Sequence, residues 1–286
     1  MFTVPADISH VKPPCHGWRL IEDGLLPGER NMAIDEALLN SFNPVSSAPV
    51  LRLYGWSPPA LSLGRFQKAG EVLELERCNA SGTVIVRRIT GGGVIYHAEE
   101  LTYSIVCAPD QIPPATSVKD SFRVLTSFLL AFYRQLGLDS CYAVDAASEG
   151  ICLGERTAFC FAGRESFDIV VNGRKIGGNA QRRLKNCIFQ HGSIPLLNMA
   201  RVGLSFLRDR SPELAEGAGC LAECGITIDR DRLQAQLIAA FEASFGVVLS
   251  PDHLSSREQA AAERLYSTKY TRKRWNLEGI DDENTA

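Results

Sequence analysis

Asn172-Gly173 stands between two apolar runs that alternate with polar residues, "FDIVV" before it and "RKIGG" after it. In that setting Asn-Gly specifies a two-residue type I′ turn, so the stretch is predicted to fold back as an antiparallel hairpin. The register then follows, with Val171 opposite Arg174 and Val170 opposite Lys175. Period-two alternation assigns Ile169, Val171 and Ile176 to one face, read as the core face, and Asp168, Val170 and Lys175 to the other.

The surrounding pattern extends this antiparallel theme. "VLRLYGW" and "ALSLGRF" read as strands around an "SPP" turn, followed by "VIVRRITGGGVIYH" and "LTYSIVC". "CIFQHGSIPL" reads as the strand after the hairpin. Helical spacing of apolar residues predicts helices at "RNMAIDEALLNSF", at "SVKDSFRVLTSFLLAFYRQLG" and at "DRLQAQLIAAFEASFG"; a fourth opens with Ser255 and Glu258 at capping-box spacing. Strands and helices do not alternate regularly. The predicted class is therefore α+β with a central mixed or antiparallel sheet and flanking helices, not a doubly wound sheet.

Composition removes several functions. A formal net charge of -3 gives no electrostatic basis for holding nucleic acid. No apolar run is long enough to span a bilayer, and the first residues lack a signal-peptide pattern, so no membrane role and a cytoplasmic setting are expected. The nine cysteines are scattered without a CxxC, as expected of free thiols in a reducing compartment. Cys220 and Cys224 lack a following His or Cys pair at zinc spacing, so no metal site is predicted.

Two glycine-rich places invite a ligand. Gly177 and Gly178 interrupt a strand, which marks the close approach of a ligand or of another backbone. In "RRITGGGVIYH", Gly91, Gly92 and Gly93 expose backbone N–H groups, with Arg87 and Arg88 supplying charge upstream; a bulged strand is the alternative. Lys175 is either a solvated lysine on an open sheet face or a ligand contact beside the glycine gap. His97 and His191 each end an apolar run and are either structural hydrogen-bonding groups or participants in a site.

Together these stretches resemble the superfamily of lipoate–protein ligases, octanoyltransferases and biotin–protein ligases. The pieces that carry the resemblance are "WRLI", "NMAIDEALL", "LRLYGW", "ALSLGRFQ", "VRRITGGGVIYHAEELTYSI", "NGRKIGGNAQRR" and "QHGSIPL", in the family's order from Trp18 to about Leu196, with "STKYTRKRWN" near the end. The biotin-ligase "GRGR" signature is absent. The resemblance implies a smaller sheet beside the central one and a tunnel for a medium-length acyl chain. Residues 1–16 and the closing "EGIDDENTA" read as loose tails; the resemblance implies a catalytic domain over 17–250, with a C-terminal helix and tail packed on it over 251–286. It also implies substrate-binding roles for Arg87, Arg88, Gly91, Gly92, Gly93, His97, Gly177, Gly178 and His191, and contact of Lys175 with the acyl carbonyl.

Two branches of that superfamily differ in energy source. Ligases use ATP and magnesium through an acyl-adenylate and carry an Asn-Asp pair ahead of the hairpin, a position that reads Phe167-Asp168 here. Cysteine-type transferases place a nucleophile in a Cys-Phe motif, which Cys160-Phe161 matches. The transferase reading needs no cofactor. It implies octanoyl-acyl carrier protein as donor and lipoyl domains, such as glycine-cleavage H protein or the E2 subunits of 2-oxoacid dehydrogenases, as acceptors. The sequence departs from the transferase pattern at Gly91-Gly92-Gly93, where many transferases have Gly-Gly-Arg, and at Ala98, where both branches usually have Asp. The competing expectations are the ligase, a non-catalytic acyl or lipoyl-domain binder, and a cysteine hydrolase using Cys160 and His191.

Overall fold

The computed structural model describes residues 17–146, 154, 157–160, 163 and 165–281. The expected tail over residues 1–16 and Phe161 of the Cys-Phe motif lie outside the described residues. The central sheet has six strands: β1 (Gly17–Leu26), β2 (Val50–Trp56), β6 (Glu100–Cys107), β10 (Gly178–Leu184), β11 (Cys187–Pro195) and β12 (Val248–Pro251). Their spatial order is β10-β11-β6-β2-β1-β12. From β10 to β2 the pairing is antiparallel, while β1 runs parallel to both β2 and β12, so the sheet is mixed. β3 (Ala60–Leu63), β4 (Val84–Arg87) and β5 (Ile95–His97) form one small sheet. A second contains β7 (Ser140–Tyr142), β8 (Ile169–Val171) and β9 (Arg174–Lys175), so two small sheets stand where one was expected.

Alternation along the strands builds a core on each face of the central sheet. One face presents Leu53, Tyr103 and Ile188 to α2 (Val118–Gln135) and α3 (Arg230–Phe245), which answer with Phe128, Phe132, Leu237 and Phe241. The opposite face presents Tyr54, Trp56, Val106 and Phe189 to Met32, Ala33 and Leu38 of α1 (Gly28–Ser41). Ser117 caps α2 by accepting from the Asp120 N–H at 3.0 Å, satisfying one of the donors a helix start leaves unpaired. The predicted capping box of Ser255 and Glu258 opens α4 (Ser256–Leu265), which packs on α1.

The hairpin has the expected register, Val170 opposite Lys175 and Val171 opposite Arg174. Asn172 and Gly173 take φ of 50° and 75°, the left-handed pair that a type I′ turn requires. Ile169, Val171 and Ile176 join the core under α2. The opposite face is buried as well, and Lys175 is only 2% exposed. The open-face reading of that lysine is therefore incorrect.

The C-terminal segment is tied down further than its polar composition suggests. Lys269 pairs with Glu36 at 2.9 Å and with Asp281 at 2.7 Å, so the part of "EGIDDENTA" up to Asp281 is anchored rather than loose. Among the described residues no helix is long and apolar enough to cross a membrane.

Candidate active site

Cys160 is held by the glycine loop. The segment before it is stitched to Val94, whose N–H donates to the Ala158 carbonyl at 2.8 Å and whose carbonyl accepts from the Cys160 N–H at 3.0 Å. Phe159 is buried beside Val94, Leu61 and Leu63, which fixes the segment sideways. Two glycines make room for this placement. A Cβ on Gly93 would stand 2.8 Å from the Cys160 nitrogen, and one on Gly178 would stand 2.8 Å from the Cys160 sulfur. Gly177 serves a different purpose: it has a φ of 94°, and a Cβ there would lie 2.1 Å from the Ser193 carbonyl oxygen. Of the pair flagged in the sequence, Gly177 admits backbone and Gly178 admits the thiol.

Lys175 reaches the same place from the hairpin. Its ammonium pairs with Asp168 at 2.7 Å and donates to the carbonyls of Cys160 at 2.8 Å and Gly163 at 3.0 Å. An ammonium has three donors, and these three acceptors engage all of them. Burial works to lower the Lys175 pKa, but negative charge on Cys160 and Asp168 outweighs it and raises the pKa above its ordinary value. The sequence put Asp168 and Lys175 on one face without identifying them as an ion pair.

The two arginines separate. Arg87 is not in the site. Its guanidinium donates to the carbonyls of Gly64, Arg65, Gln67, Trp275 and Leu277, binding the C-terminal segment to β4. The expectation that Arg87 contacts substrate is corrected on that geometry. Arg88 does line the cavity with Cys160. It donates to the carbonyls of Ser62, Gly91 and Gly93 and to the Ser62 hydroxyl, and no carboxylate partners it among the described residues. Burial lowers its pKa to about 10, partly opposed by negative charge on Cys160.

Two spaces meet at Cys160. One is a narrow cavity of about 30 Å³ whose lining includes Tyr54, Trp56, Ile95, Thr102, Gly178 and Ser193. The other is an open cleft whose lining includes Gly91, Gly92, Gly93, Asp168 and Lys175. Cys160, Gly92 and Asn179 border both. The polar groups of the cavity wall bond largely to one another. His97 stacks on Trp56 with ring centroids 3.8 Å apart, and its ring nitrogens meet Ser62 and Glu100, each at 2.7 Å. Glu100 also accepts from Thr102 and Ser193.

His191 Nε2 meets the Thr90 hydroxyl at 2.7 Å, and Nδ1 lies 3.7 Å from Asp35. Burial lowers the His191 pKa and keeps the ring neutral at neutral pH. Asp35 is held below the usual carboxylate range: burial opposes this, but Arg52 at 2.8 Å and His191 prevail. The structure thus gathers Cys160, Lys175, Arg88, the three-glycine loop, Gly178, His97 and His191 around one junction. Sequence reasoning missed Asn179, Ser62, Glu100 and Asp35. Asn179 immediately follows the flagged Gly178, and that adjacency was the available signal.

A mixed sheet joined to a glycine loop and a Lys hairpin at a narrow cavity defines the catalytic domain of the lipoyl protein ligase A/B family. The model of that family matches residues 27–242, and the chain belongs to it. Among its relatives is the octanoyltransferase LipM of Geobacillus kaustophilus, 34% identical over 271 residues that cover 91% of this chain and 98% of the relative. The octanoyltransferase LipM of Kyrpidia tusciae is 35% identical over 269 residues, again 91% and 98% of the two chains. A lipoate-protein ligase A crystallised with ATP has the same fold, with a TM-score of 0.77 over 92% of this chain and 100% of its own, at 23% identity.

Proposed function

We infer that this chain is an octanoyltransferase of protein lipoylation, and we propose that it works through an octanoyl thioester on Cys160, with octanoyl-acyl carrier protein as donor and lipoyl domains as acceptors. The observation that carries the reading is the position of Cys160 at the junction of an apolar-lined cavity and an open cleft. A thioester formed there has its acyl chain on the cavity side and its carbonyl within reach of the cleft.

The row of strand positions along the cavity wall matches the length of the acyl chain. Gly178, Ser193, Thr102 and Tyr54 form one row across four strands. With strands about 4.8 Å apart, the row spans about 14 Å. An extended octanoyl chain, with C–C bonds of about 1.5 Å, measures about 9 Å. Laid across the sheet from Cys160, such a chain reaches over β6 and stops short of Tyr54 and Trp56.

Cys160 as thiolate attacks the donor's thioester carbonyl, the tetrahedral intermediate collapses, and the donor thiol leaves with its electron pair. The neutral amine of the acceptor lysine then attacks the octanoyl-Cys160 thioester. Cys160 departs as thiolate, an amide remains, and the amine's surplus proton leaves through the open cleft. Splitting the transfer in this way replaces one difficult step by two easier ones. Lys175 anchors the Cys160 loop through two carbonyls and brings positive charge to it. For Lys175 to donate to the tetrahedral oxyanion as well, one of its three bonds must exchange.

A thioester donor already carries the activation energy, so the reaction needs no nucleotide and suits the cytoplasm. Two features favour this over the ATP-dependent ligase reading. Asp168 is engaged by Lys175 at 2.7 Å, and Phe167 packs edge-on against Tyr142, with centroids 5.4 Å apart, at the position where ligases carry asparagine. The test is incubation with octanoyl-acyl carrier protein and an apo lipoyl domain, with and without ATP and magnesium. Transfer without ATP, lost in Cys160→Ala, with a hydroxylamine-labile octanoyl adduct on the Cys160 peptide, is the expected result. Strict ATP dependence with free octanoate, or full activity in Cys160→Ala, refutes it.

A further inference from the structure

The glycine loop is asymmetric in its hydrogen bonding. Its carbonyls face the protein: Thr90 accepts from the Arg65 N–H at 2.8 Å, Gly91 from Arg88 at 2.8 Å, and Gly93 from Arg88 at 2.7 Å. The Gly92 carbonyl oxygen packs against Gly64, 2.0 Å from where a Cβ on that residue would stand. In a trans peptide the N–H points opposite to the carbonyl. The N–H groups of Gly91, Gly92 and Gly93 therefore face away from Arg65, Arg88 and Gly64, and none has a protein partner among the described residues. All three glycines border the open cleft together with Cys160, and Gly93 touches the Cys160 backbone. Backbone N–H groups left unpaired near a nucleophile are what a tetrahedral oxyanion needs, because they are oriented before the charge appears. Lys175, the other cation beside Cys160, has all three donors engaged.

We propose that the Gly92 and Gly93 N–H groups form the oxyanion site of the acyl transfer and that Arg88 is its positioning residue. Arg88 fixes the carbonyl side of the Gly91–Gly92 peptide and so aims the Gly92 N–H, and it holds the loop's far end at the Gly93 carbonyl, while the Gly92 carbonyl packed on Gly64 sets the Gly93 N–H. Its buried guanidinium, without a carboxylate partner among the described residues, also places positive charge on the cavity wall that Cys160 borders. The same site serves both half-reactions, since each passes through a tetrahedral intermediate on the carbon bonded to the Cys160 sulfur. The proposal rests on Cys160 being the nucleophile.

The test separates acyl transfer from simple thiol chemistry. Iodoacetamide alkylates a thiolate by direct displacement and develops no carbonyl oxyanion, so it reports the thiol without the proposed site. In Arg88→Met, octanoyl-Cys160 formation from saturating donor should slow by about a hundredfold, the typical effect of losing an oxyanion donor. Alkylation of the Cys160 peptide at the same pH should slow far less, and Arg88→Lys should recover part of the acylation rate. Because Arg88→Met removes buried hydrogen bonds, a second variant replaces Gly92 by glycolic acid, exchanging its N–H for an ester oxygen. That variant should show a comparable loss of acylation with alkylation unchanged. The proposal is overturned if acylation in the ester variant matches wild type. It is also overturned if acylation and alkylation fall by equal factors in both variants. Loss of the adduct from Cys160 in the wild-type protein would instead refute the nucleophile assignment, an outcome read separately in the same spectra.

Discussion

Gly178→Ala should leave a folded protein with a misplaced nucleophile. The added Cβ would sit 2.8 Å from the Cys160 sulfur, with the Ile95 side chain 3.9 Å away as its next neighbour. Non-bonded heavy atoms settle at about 3.5–4.0 Å, so the sulfur must retreat by about 1 Å. The thiol is the end of a rotatable side chain, and Gly178 has no left-handed φ, so the backbone need not move. Stability should change by no more than about 1 kcal/mol, since displacement of the thiol is offset by the lower chain entropy of alanine in the unfolded state. Reactivity should change much more, because a displacement of about 1 Å at a reacting atom can cost about a hundredfold in rate. The assay is octanoyl-Cys160 formation by rapid quench and mass spectrometry, beside a thermal unfolding curve. Gly177→Ala is the contrasting control: its Cβ would meet a backbone carbonyl at 2.1 Å with φ at 94°, so it should lower the unfolding temperature strongly. A Gly178→Ala protein that acylates at the wild-type rate would refute the placement of the sulfur on which the site depends.

Lys175→Met should destabilise the fold by about 3–5 kcal/mol, because it leaves Asp168 buried without its partner; adding Asp168→Asn should restore most of that loss in denaturant titrations. Trp56→Leu should shift acyl preference toward decanoyl, with the decanoyl-to-octanoyl ratio of acylation rates rising about tenfold, since each newly accommodated CH₂ is worth about 0.8 kcal/mol. The His191 pKa is depressed in the folded state, so folding favours the neutral ring. Its contribution to stability is complete above the unfolded-state value of about 6.5 and declines as pH falls below it. Unfolding temperatures compared from pH 7.5 to 5 should therefore fall less steeply in His191→Gln than in the wild type.

The sequence revealed the site wherever local chemistry encoded it. Asn172-Gly173 set the hairpin register, because only left-handed backbone fits a type I′ turn, and the register brought Lys175 to its place opposite Val170. The burial of Lys175 was not legible, because it depends on the Cys160 segment and on Asp168 covering the face that alternation left open. Arg87 and Arg88 are adjacent in sequence and alike in charge, yet one binds the C-terminal segment and the other the glycine loop. Their division depends on Trp275 and Leu277, nearly two hundred residues away. β1 escaped notice because "GWRLIEDGLL" lacks clean alternation and changes register between Glu22 and Leu25. β12 is four residues long and ends in Pro251.

The ion pair between Lys175 and Asp168 also decides what kind of catalyst this lysine can be. A general base must release its own proton near neutral pH, whereas in the acyl-enzyme, with Cys160 an uncharged thioester, the Lys175 ammonium still pairs with Asp168 at 2.7 Å. An ammonium so held is a fixed charge and an anchor, and cannot accept the proton of the incoming amine. On the proposed mechanism that proton therefore leaves through the open cleft, while Cys160 departs as thiolate and needs none. Deacylation should consequently speed up with pH as more of the acceptor lysine is unprotonated, and the rise should persist in Lys175→Met/Asp168→Asn, whatever its overall rate. Single-turnover transfer from preformed octanoyl-Cys160 to an apo lipoyl domain, followed from pH 6.5 to 9, measures this directly. Loss of the pH dependence in the double variant alone would identify Lys175 as the base and refute the assignment of fixed charge.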